Sequence, residues 1–328
     1  MNKIISLFLF LILLSLYISA AQTPNIDPEL QKFCEEINRD FEGCIIIMET
    51  QTGKIRAFSN PEFGIKTKLS PGSLFKPVIA YIGLNAQMIT PYETINCTYY
   101  FKKYGMTFKC SNSLGHGQVD LVKAIGESCN FYFYTLSTKL GSKIILKYFN
   151  DLGLHQKTGI DLPGESENEL PVALNEVELV NIGIGLNDNL NLTPIKILQV
   201  LNIFPSQGKY LVPNYYKENY KVSGKFIDFS LSEDEYILSG MKHAVEKGTC
   251  KLLGEKNLPV GGKTGTSPFE TGLRKRNWAF FFGFYPYISP EYSIFIVVKG
   301  GYGSTSAVPV AEEVFQLFEI DELNIKEK

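Results

Sequence analysis

Three short strings hold, in chain order, the parts of a serine acyl-transfer centre that needs no histidine: Ser73-Leu74-Phe75-Lys76, Ser128-Cys129-Asn130 and Lys263-Thr264-Gly265-Thr266. A serine hydroxyl is a weak nucleophile until a base takes its proton. Positions three apart share a helix face, so Lys76 can bring its amine beside Ser73. That amine acts as a base only when neutral. The apolar neighbours Leu74, Phe75, Val78 and Ile79, and a second cation at Lys263, both push it that way. Ser128 supplies a second hydroxyl and Asn130 an amide. Gly261, Gly262 and Gly265 suit close approach of a substrate backbone to a strand, or a bulge.

Two of the strings recur, and order and context choose between the copies. Ser239-Gly240-Met241-Lys242 repeats the first pattern, but no Ser-x-Asn lies between it and Lys263. Ser166-Glu167-Asn168 repeats the second, inside a polar turn with no apolar anchor. Ser128 instead borders Phe131-Tyr132-Phe133-Tyr134, which can hold it rigidly at the edge of a packed helix.

The set resembles the serine penicillin-recognising enzymes, and among them the transpeptidase domain of penicillin-binding proteins. Pro71-Gly72 before Ser73 looks like that family's nucleophile segment, and Thr52-Gly53-Lys54 like its first hairpin. Thr158-Gly159-Ile160-Asp161-Leu162-Pro163-Gly164-Glu165, Gly183-Ile184-Gly185 and Asn277 to Phe284 are similar to stretches of penicillin-binding transpeptidases. The resemblance runs from about Leu30 to about Phe318. It implies Ser73 as nucleophile, Lys76 as base, Ser128 as proton relay and Lys263 as supporting cation. It implies Asn130, Thr264, Gly265 and Thr266 as substrate-binding residues, and the N–H groups of Ser73 and Thr266 as an oxyanion hole. The implied substrate is a peptidoglycan stem peptide ending in D-Ala-D-Ala. Penicillin and other β-lactams would acylate Ser73 as mimics, and the implied reaction is a D,D-transpeptidation. A D,D-carboxypeptidase or a serine β-lactamase on the same fold is the rival, with a β-lactam sensor or an inactive structural partner behind them. Glu176-Val177-Glu178-Leu179-Val180-Asn181 resembles the class A deacylation string, with one residue too many. Arg274-Lys275-Arg276 is either a solvated loop or a feature that favours anionic stems.

Composition sets outer bounds. The 328 residues are 45% apolar, enough for one large domain or two small ones with a sizeable core. A net charge of −2 gives no reason to invoke nucleic acid. Lys3, the apolar run from Ile4 to Ile18 and Ser19-Ala20-Ala21 read as a signal peptide cleaved after Ala21, or as an uncleaved membrane anchor. Residues 1–21 are therefore expected to export a transpeptidase domain of residues 22–328 to the periplasm or the outer face of the cytoplasmic membrane. No room is seen for a glycosyltransferase domain before Leu30, so a separate glycosyltransferase is the expected partner.

Cys97 and Cys110 flank a short segment and are either a disulfide or two half-buried thiols; Cys34 with Cys44 is a weaker pair. Cys129 reads as a small buried side chain and His116 as a structural loop residue. No Cys-x-x-Cys occurs and no histidine has ligand-like spacing, so neither a metal site nor a cofactor is expected.

The elements that must position these groups follow from periodicity. Cys44 to Glu49 and Ile55 to Ser59 read as strands. Phe75 to Asn85, Leu121 to Leu140 and Pro194 to Ile203 have helical spacing. Pro259 to Ser267, Trp278 to Tyr285 and Tyr292 to Val298 read as strands, and Val308 to Phe318 as a closing helix. Strands at both chain ends with helices between them do not make a βαβ array. They fit an α/β domain of α+β type: a five-stranded, mainly antiparallel sheet completed by both chain ends, flanked by helices, with an inserted all-helical subdomain.

Overall fold

The computed structural model describes residues 23–216, 222–228, 231–271 and 274–326. The N-terminal segment read as a signal or anchor lies outside them. The chain enters through α1 (Pro28–Asn38), N-capped by Asp27, and forms β1 (Gly43–Glu49) and β2 (Ile55–Phe58) around the Thr52-Gly53 turn. Helix α2 (Pro61–Lys66) leads to a 3-10 turn, Gly72–Phe75, that runs directly into α3 (Lys76–Asn85). Strands β3 (Ile95–Cys97), β4 (Tyr100–Lys103), β5 (Met106–Lys109) and β6 (Gly117–Val119) follow. Next come α4 (Leu121–Gly126), α5 (Asn130–Asp151), α6 (Glu176–Ile182) and α7 (Pro194–Leu201). Strands β7 (Lys209–Leu211) and β8 (Gly224–Phe226) precede α8 (Leu231–Glu246) and α9 (Lys251–Glu255). The chain closes with β9 (Gly261–Thr271), β10 (Arg274–Tyr285), β11 (Tyr292–Lys299), a π-helical turn at Gly303–Ala307 and α10 (Val308–Lys326).

The main sheet has the order β2-β1-β11-β10-β9, and every neighbouring pair is antiparallel. The two chain ends meet where β1 pairs with β11, so the sheet exists only once the chain has closed on itself. Side chains alternate across its faces. Ile46, Met48, Phe280, Phe282, Phe295 and Val297 join the core shared with the inserted helices. Ile45, Ile47, Phe281, Ile294 and Ile296 pack on the other side with Val314 and Phe315 of α10 and Leu30 of α1. Burial on both faces explains why β1 reads as the unbroken apolar run Cys44-Ile45-Ile46-Ile47-Met48.

The structure refines two expectations. Among the described residues the insert is not all-helical: besides its helices it carries three two-stranded ribbons, β3-β6, β4-β5 and β7-β8. The helix expected over Leu121 to Leu140 is two helices, α4 and α5, broken at residues 127–129. Apolar spacing persists across the break because both helices face the same core, so periodicity alone does not reveal it. The break coincides with the second string of the candidate site.

Candidate active site

The first string is set by backbone chemistry. Gly72 has φ +55, and a Cβ there would lie 2.4 Å from the carbonyl oxygen of Thr266. Gly185, at φ +69, presses on the other side, where a Cβ would lie 2.1 Å from the Gly72 carbonyl oxygen. Gly72 N–H donates to the Gly185 carbonyl at 3.0 Å. The nucleophile turn is thus clamped between the Gly183-Ile184-Gly185 segment and the edge strand β9, in a fit that side chains would block. Pro77 sits in the first turn of α3, where a missing N–H costs nothing. Ser73 is half-buried while Lys76, at the start of α3, is fully buried.

The second string sits in the break. Ser128 N–H donates to the Ile125 carbonyl at 3.2 Å, and Cys129 N–H to the Ala124 carbonyl at 2.9 Å. These two bonds are a Schellman motif closing α4. Its left-handed position, where glycine is usual, is Ser128 with φ 56. A side chain in that conformation costs about 1–2 kcal/mol. The hydroxyl it carries lies in the middle of a cation network.

Lys76 Nζ is 2.9 Å from Ser128 Oγ, 2.7 Å from the Ser128 carbonyl oxygen and 2.7 Å from Asn130 Oδ1. Lys263 Nζ reaches the same Ser128 Oγ at 2.9 Å and donates to the Thr264 carbonyl at 2.9 Å. Both lysines are fully buried. Burial and then the facing Lys263 cation hold Lys76 well below the ordinary lysine range, with Cys129 and Cys110 opposing. Burial pushes Lys263 down to about 8, against Cys250. Lys76 donates to the Ser128 carbonyl, to Asn130 Oδ1 and to Ser128 Oγ, and Lys263 donates to the same Oγ. The Ser128 hydroxyl thus links the two amines in one hydrogen-bonded chain.

This chain opens onto a cleft of ≈ 320 Å³ lined by Ser73, Ser128, Asn130, Thr264, Gly265 and Thr266 among others. The structure therefore brings all three strings to one place, though Ser73 itself makes no side-chain hydrogen bond among the described residues. The Thr266 carbonyl faces Gly72 across the free edge of β9, and its N–H points to the same side. Thr266 Oγ1 accepts from Gly303 N–H at 3.2 Å, and Thr264 Oγ1 donates to Thr249 Oγ1 at 2.7 Å.

Comparison with known proteins shows the family and the fold. The description "Penicillin binding protein transpeptidase domain" matches residues 43–316. The chain belongs to that family. The peptidoglycan D,D-transpeptidase MrdA of Acinetobacter baumannii is 26% identical over 89% of this chain and 52% of its own length. Stage V sporulation protein D of Bacillus subtilis is 26% identical over 81% of this chain and 44% of its own. The chain thus spans about half the length of the curated relatives it matches. Pseudomonas aeruginosa PBP2 in complex with WCK 5153 superposes with TM-score 0.82 at 24% identity, over 90% of this chain and 78% of the other. The Helicobacter pylori PBP2 structure gives 0.82 at 21%, over 91% and 64%.

Within this transpeptidase fold, the duplicate strings are structural. Lys242 lies on the surface 3.6 Å from Glu246. Asn168 is buried and ties the Gln156 carbonyl to Thr193 N–H. The sequence string that resembled a deacylation motif is also spent elsewhere. Glu178 closes a capping box with Asn175, Glu176 is exposed, and neither lines the cleft. Of Arg274-Lys275-Arg276, the side chains of the first two lie outside the described residues, and Arg276 is exposed.

Sequence reasoning missed Ser111, Thr249, Tyr302, Gly303 and Ser304, which complete the cleft wall. They stand in segments with no motif of their own. It left the pairing of the cysteines open. All six are free thiols, so neither Cys97–Cys110 nor Cys34–Cys44 is a disulfide. Cys97, Cys110, His116 and Cys129, which share no ligand-like spacing in the sequence, place their donor atoms within 4.8 Å of one another. Their spacing along the chain follows no short motif, and only the folding of the β3-β6 and β4-β5 ribbons against α4 and α5 brings them together.

Proposed function

We propose that this chain is an exported peptidoglycan D,D-transpeptidase that works through an acyl-enzyme on Ser73. The observation that carries this reading is the Ser128 hydroxyl, held 2.9 Å from both Lys76 Nζ and Lys263 Nζ at the edge of the cleft that contains Ser73. In the proposed reaction, neutral Lys76 takes the Ser73 proton as Oγ bonds to the penultimate carbonyl of a D-Ala-D-Ala stem. The N–H groups of Ser73 and Thr266 receive the developing oxyanion. The proton then passes through Ser128 to the leaving D-Ala amine as the C–N bond breaks, leaving an ester on Ser73. Attack by an amine of a second stem runs these transfers in reverse, forms the cross-link and frees Ser73. In this reading Asn130, whose Oδ1 meets Lys76 Nζ at 2.7 Å and which lines the cleft, binds the substrate peptide group. Thr264 and Thr266 bind the terminal carboxylate under the Lys263 charge, and Gly265, which lines the same cleft, contributes backbone to that subsite.

The domain layout follows the same reading: residues 1–21 export or anchor, and residues 22–328 form the transpeptidase domain. The membrane face or periplasm is the proposed workplace. A Helicobacter pylori PBP2 relative forms a complex with MreC, and another is part of a peptidoglycan synthase complex coupling polymerisation and crosslinking. The second of these favours a separate glycosyltransferase as partner here. Penicillin and other β-lactams are the proposed covalent inhibitors.

The test supplies a muropeptide ending in D-Ala-D-Ala and an acceptor stem. Release of D-Ala together with a cross-linked dimer is the expected result. D-Ala release without dimer, at any acceptor concentration, would reassign the chain to D,D-carboxypeptidation.

A further inference from the structure

The β4-β5 ribbon has one face packed and one face bare. Its register pairs Tyr100 with Lys109, Phe101 with Phe108 and Lys102 with Thr107. Side chains alternate along a strand, so Phe101 and Phe108 share the inner face and Tyr100, Lys102, Thr107 and Lys109 the outer one. The inner face is anchored on α5. The Phe101 ring lies 5.3 Å from Phe131 and 5.7 Å from Tyr134, and Phe108 lies 5.6 Å from Tyr134. All four residues of the outer face are exposed.

The foot of this ribbon belongs to the cleft wall. The Lys109 carbonyl accepts from Tyr134 OH at 3.3 Å and from Asn130 Nδ2 at 3.5 Å. Two residues on, Ser111 lines the cleft and donates to the Ser128 carbonyl at 3.3 Å. At a rise of about 3.3 Å per residue, Met106 at the tip lies about 10 Å from Lys109. The ribbon therefore prolongs the wall that carries the second string.

Its charge is one-sided. Residues 94–119 hold Lys102, Lys103 and Lys109 and no Asp or Glu, in a chain of net charge −2. Among the described residues none of these lysines makes an ion pair. The acids at the two ends of the segment are engaged elsewhere: Glu93 pairs with Lys139 at 3.3 Å, and Asp120 caps α4. Lysines also guard a free strand edge against pairing. That role calls for neither a missing acid nor an exposed ring, yet Tyr100 is 51% exposed, its ring edge-on to Tyr99 at 4.5 Å. Cations with no internal answer beside a fixed aromatic ring suit an anionic partner with apolar faces.

We propose that Tyr100, Lys102 and Lys109, on the outer face of the ribbon, bind the stretch of peptidoglycan strand next to the stem held in the cleft. The lysines meet carboxylates of neighbouring uncross-linked stems, and Tyr100 offers its ring to a sugar face. Peptidoglycan as the occupant rests on the acyl-transfer reading, in which each uncross-linked stem ends in a carboxylate. Once one stem is seated, its neighbours reach the ribbon at high effective concentration, so individually weak contacts add. The ribbon holds polymer and takes no part in the chemistry at Ser73.

The test measures binding of two fluorescent probes to the full chain: a single disaccharide unit with its stem, and an uncross-linked strand of several such units. The strand should bind at least about 10-fold more tightly than the single unit, and salt should shrink that gain. Lys102→Glu with Lys109→Glu should abolish the gain, and Tyr100→Ala should reduce it about threefold. Lys242→Glu, a charge reversal on the surface of α8, should keep it. In cross-linking, the double variant should raise KM for the strand about 10-fold with kcat within about twofold. A wild-type chain that binds strand and single unit alike overturns the proposal whatever the variants do, and so does a double variant that keeps the gain. Vesicles of phosphatidylcholine with phosphatidylglycerol that bind the wild-type chain as tightly as the strand does, and lose binding in the same variant, would reassign the ribbon to a lipid surface and overturn it too. Penicillin acylation without the strand gain overturns the ribbon site alone. A ribbon-dependent gain in a chain that penicillin never acylates overturns the acyl-transfer reading and leaves the ribbon site standing.

Discussion

Two buried lysine clusters occupy this domain, and burial lowers the proton affinity of both. Lys196 of α7 is almost fully buried and pushed down to about 8, mainly by burial, with Glu165 opposing and Lys225 adding to the fall. Its Nζ meets Gln199 Oε1 at 2.7 Å, Tyr210 OH at 3.1 Å and the carbonyls of Gly153 and Lys157 at 3.4 and 3.5 Å. Lys76 has equally complete partners. The difference lies in what those partners can do. Around Lys196 they tie α7 to the loops beside it and open onto none of the clefts that line the candidate site. Around Lys76 one partner is a hydroxyl shared with a second cation, at the wall of the cleft that holds Ser73. A depressed lysine is therefore a feature of burial, and only its connection to a transferable proton and an open cleft marks chemistry.

Substitution separates the two clusters. Lys76→Met should cut the rate of penicillin acylation by about 100-fold to 10,000-fold, the worth of a positioned base. Lys196→Met should leave that rate within about threefold. It should instead lower unfolding stability at neutral pH by about 2 kcal/mol, because Gln199 Oε1 loses its donor. Stopped-flow acylation and urea denaturation read the two effects separately.

The pH dependence of stability sharpens the contrast. Lys196 binds its proton more weakly in the fold, at about 8, than at its ordinary 10.5. Between those values the unfolded chain holds more protons, so this residue makes stability rise with pH through that window. Below about pH 8 both states are protonated and its contribution is flat. Subtracting the Lys196→Met curve from the wild-type curve should reveal this slope, and equal slopes would place Lys196 in a less buried setting.

Much of this was legible in residues and much was not. Ser73, Lys76 and Lys263 announce themselves, because acyl transfer demands those types in that order and the apolar run of α3 requires burial. The sheet is legible too, since β1, β10 and β11 are short apolar runs with turns at their ends. The break that creates the Ser128 site is not. Its hydrogen-bond pattern asks for glycine at residue 128, and serine stands there against local preference. The price of that conformation can be measured directly. Ser128→Gly should be more stable than Ser128→Ala by about 1 kcal/mol, since both lack the hydroxyl and differ only in tolerance of positive φ. The thiol cluster was hidden for another reason: four residues brought together by three-dimensional packing leave no sequence period. The smallest expected effect belongs to the duplicate string. Lys242→Ala removes an exposed lysine and should change stability by less than about 0.5 kcal/mol and acylation not at all.

The most direct measurement is the intact mass of the chain over time with a penicillin, beside Ser73→Ala. The expected result is a stable adduct of one drug molecule on the wild-type chain, mapped to Ser73 and absent from the variant. An adduct that forms equally on Ser73→Ala, or no adduct and no drug hydrolysis, would contradict the assignment of Ser73 as the nucleophile served by Lys76.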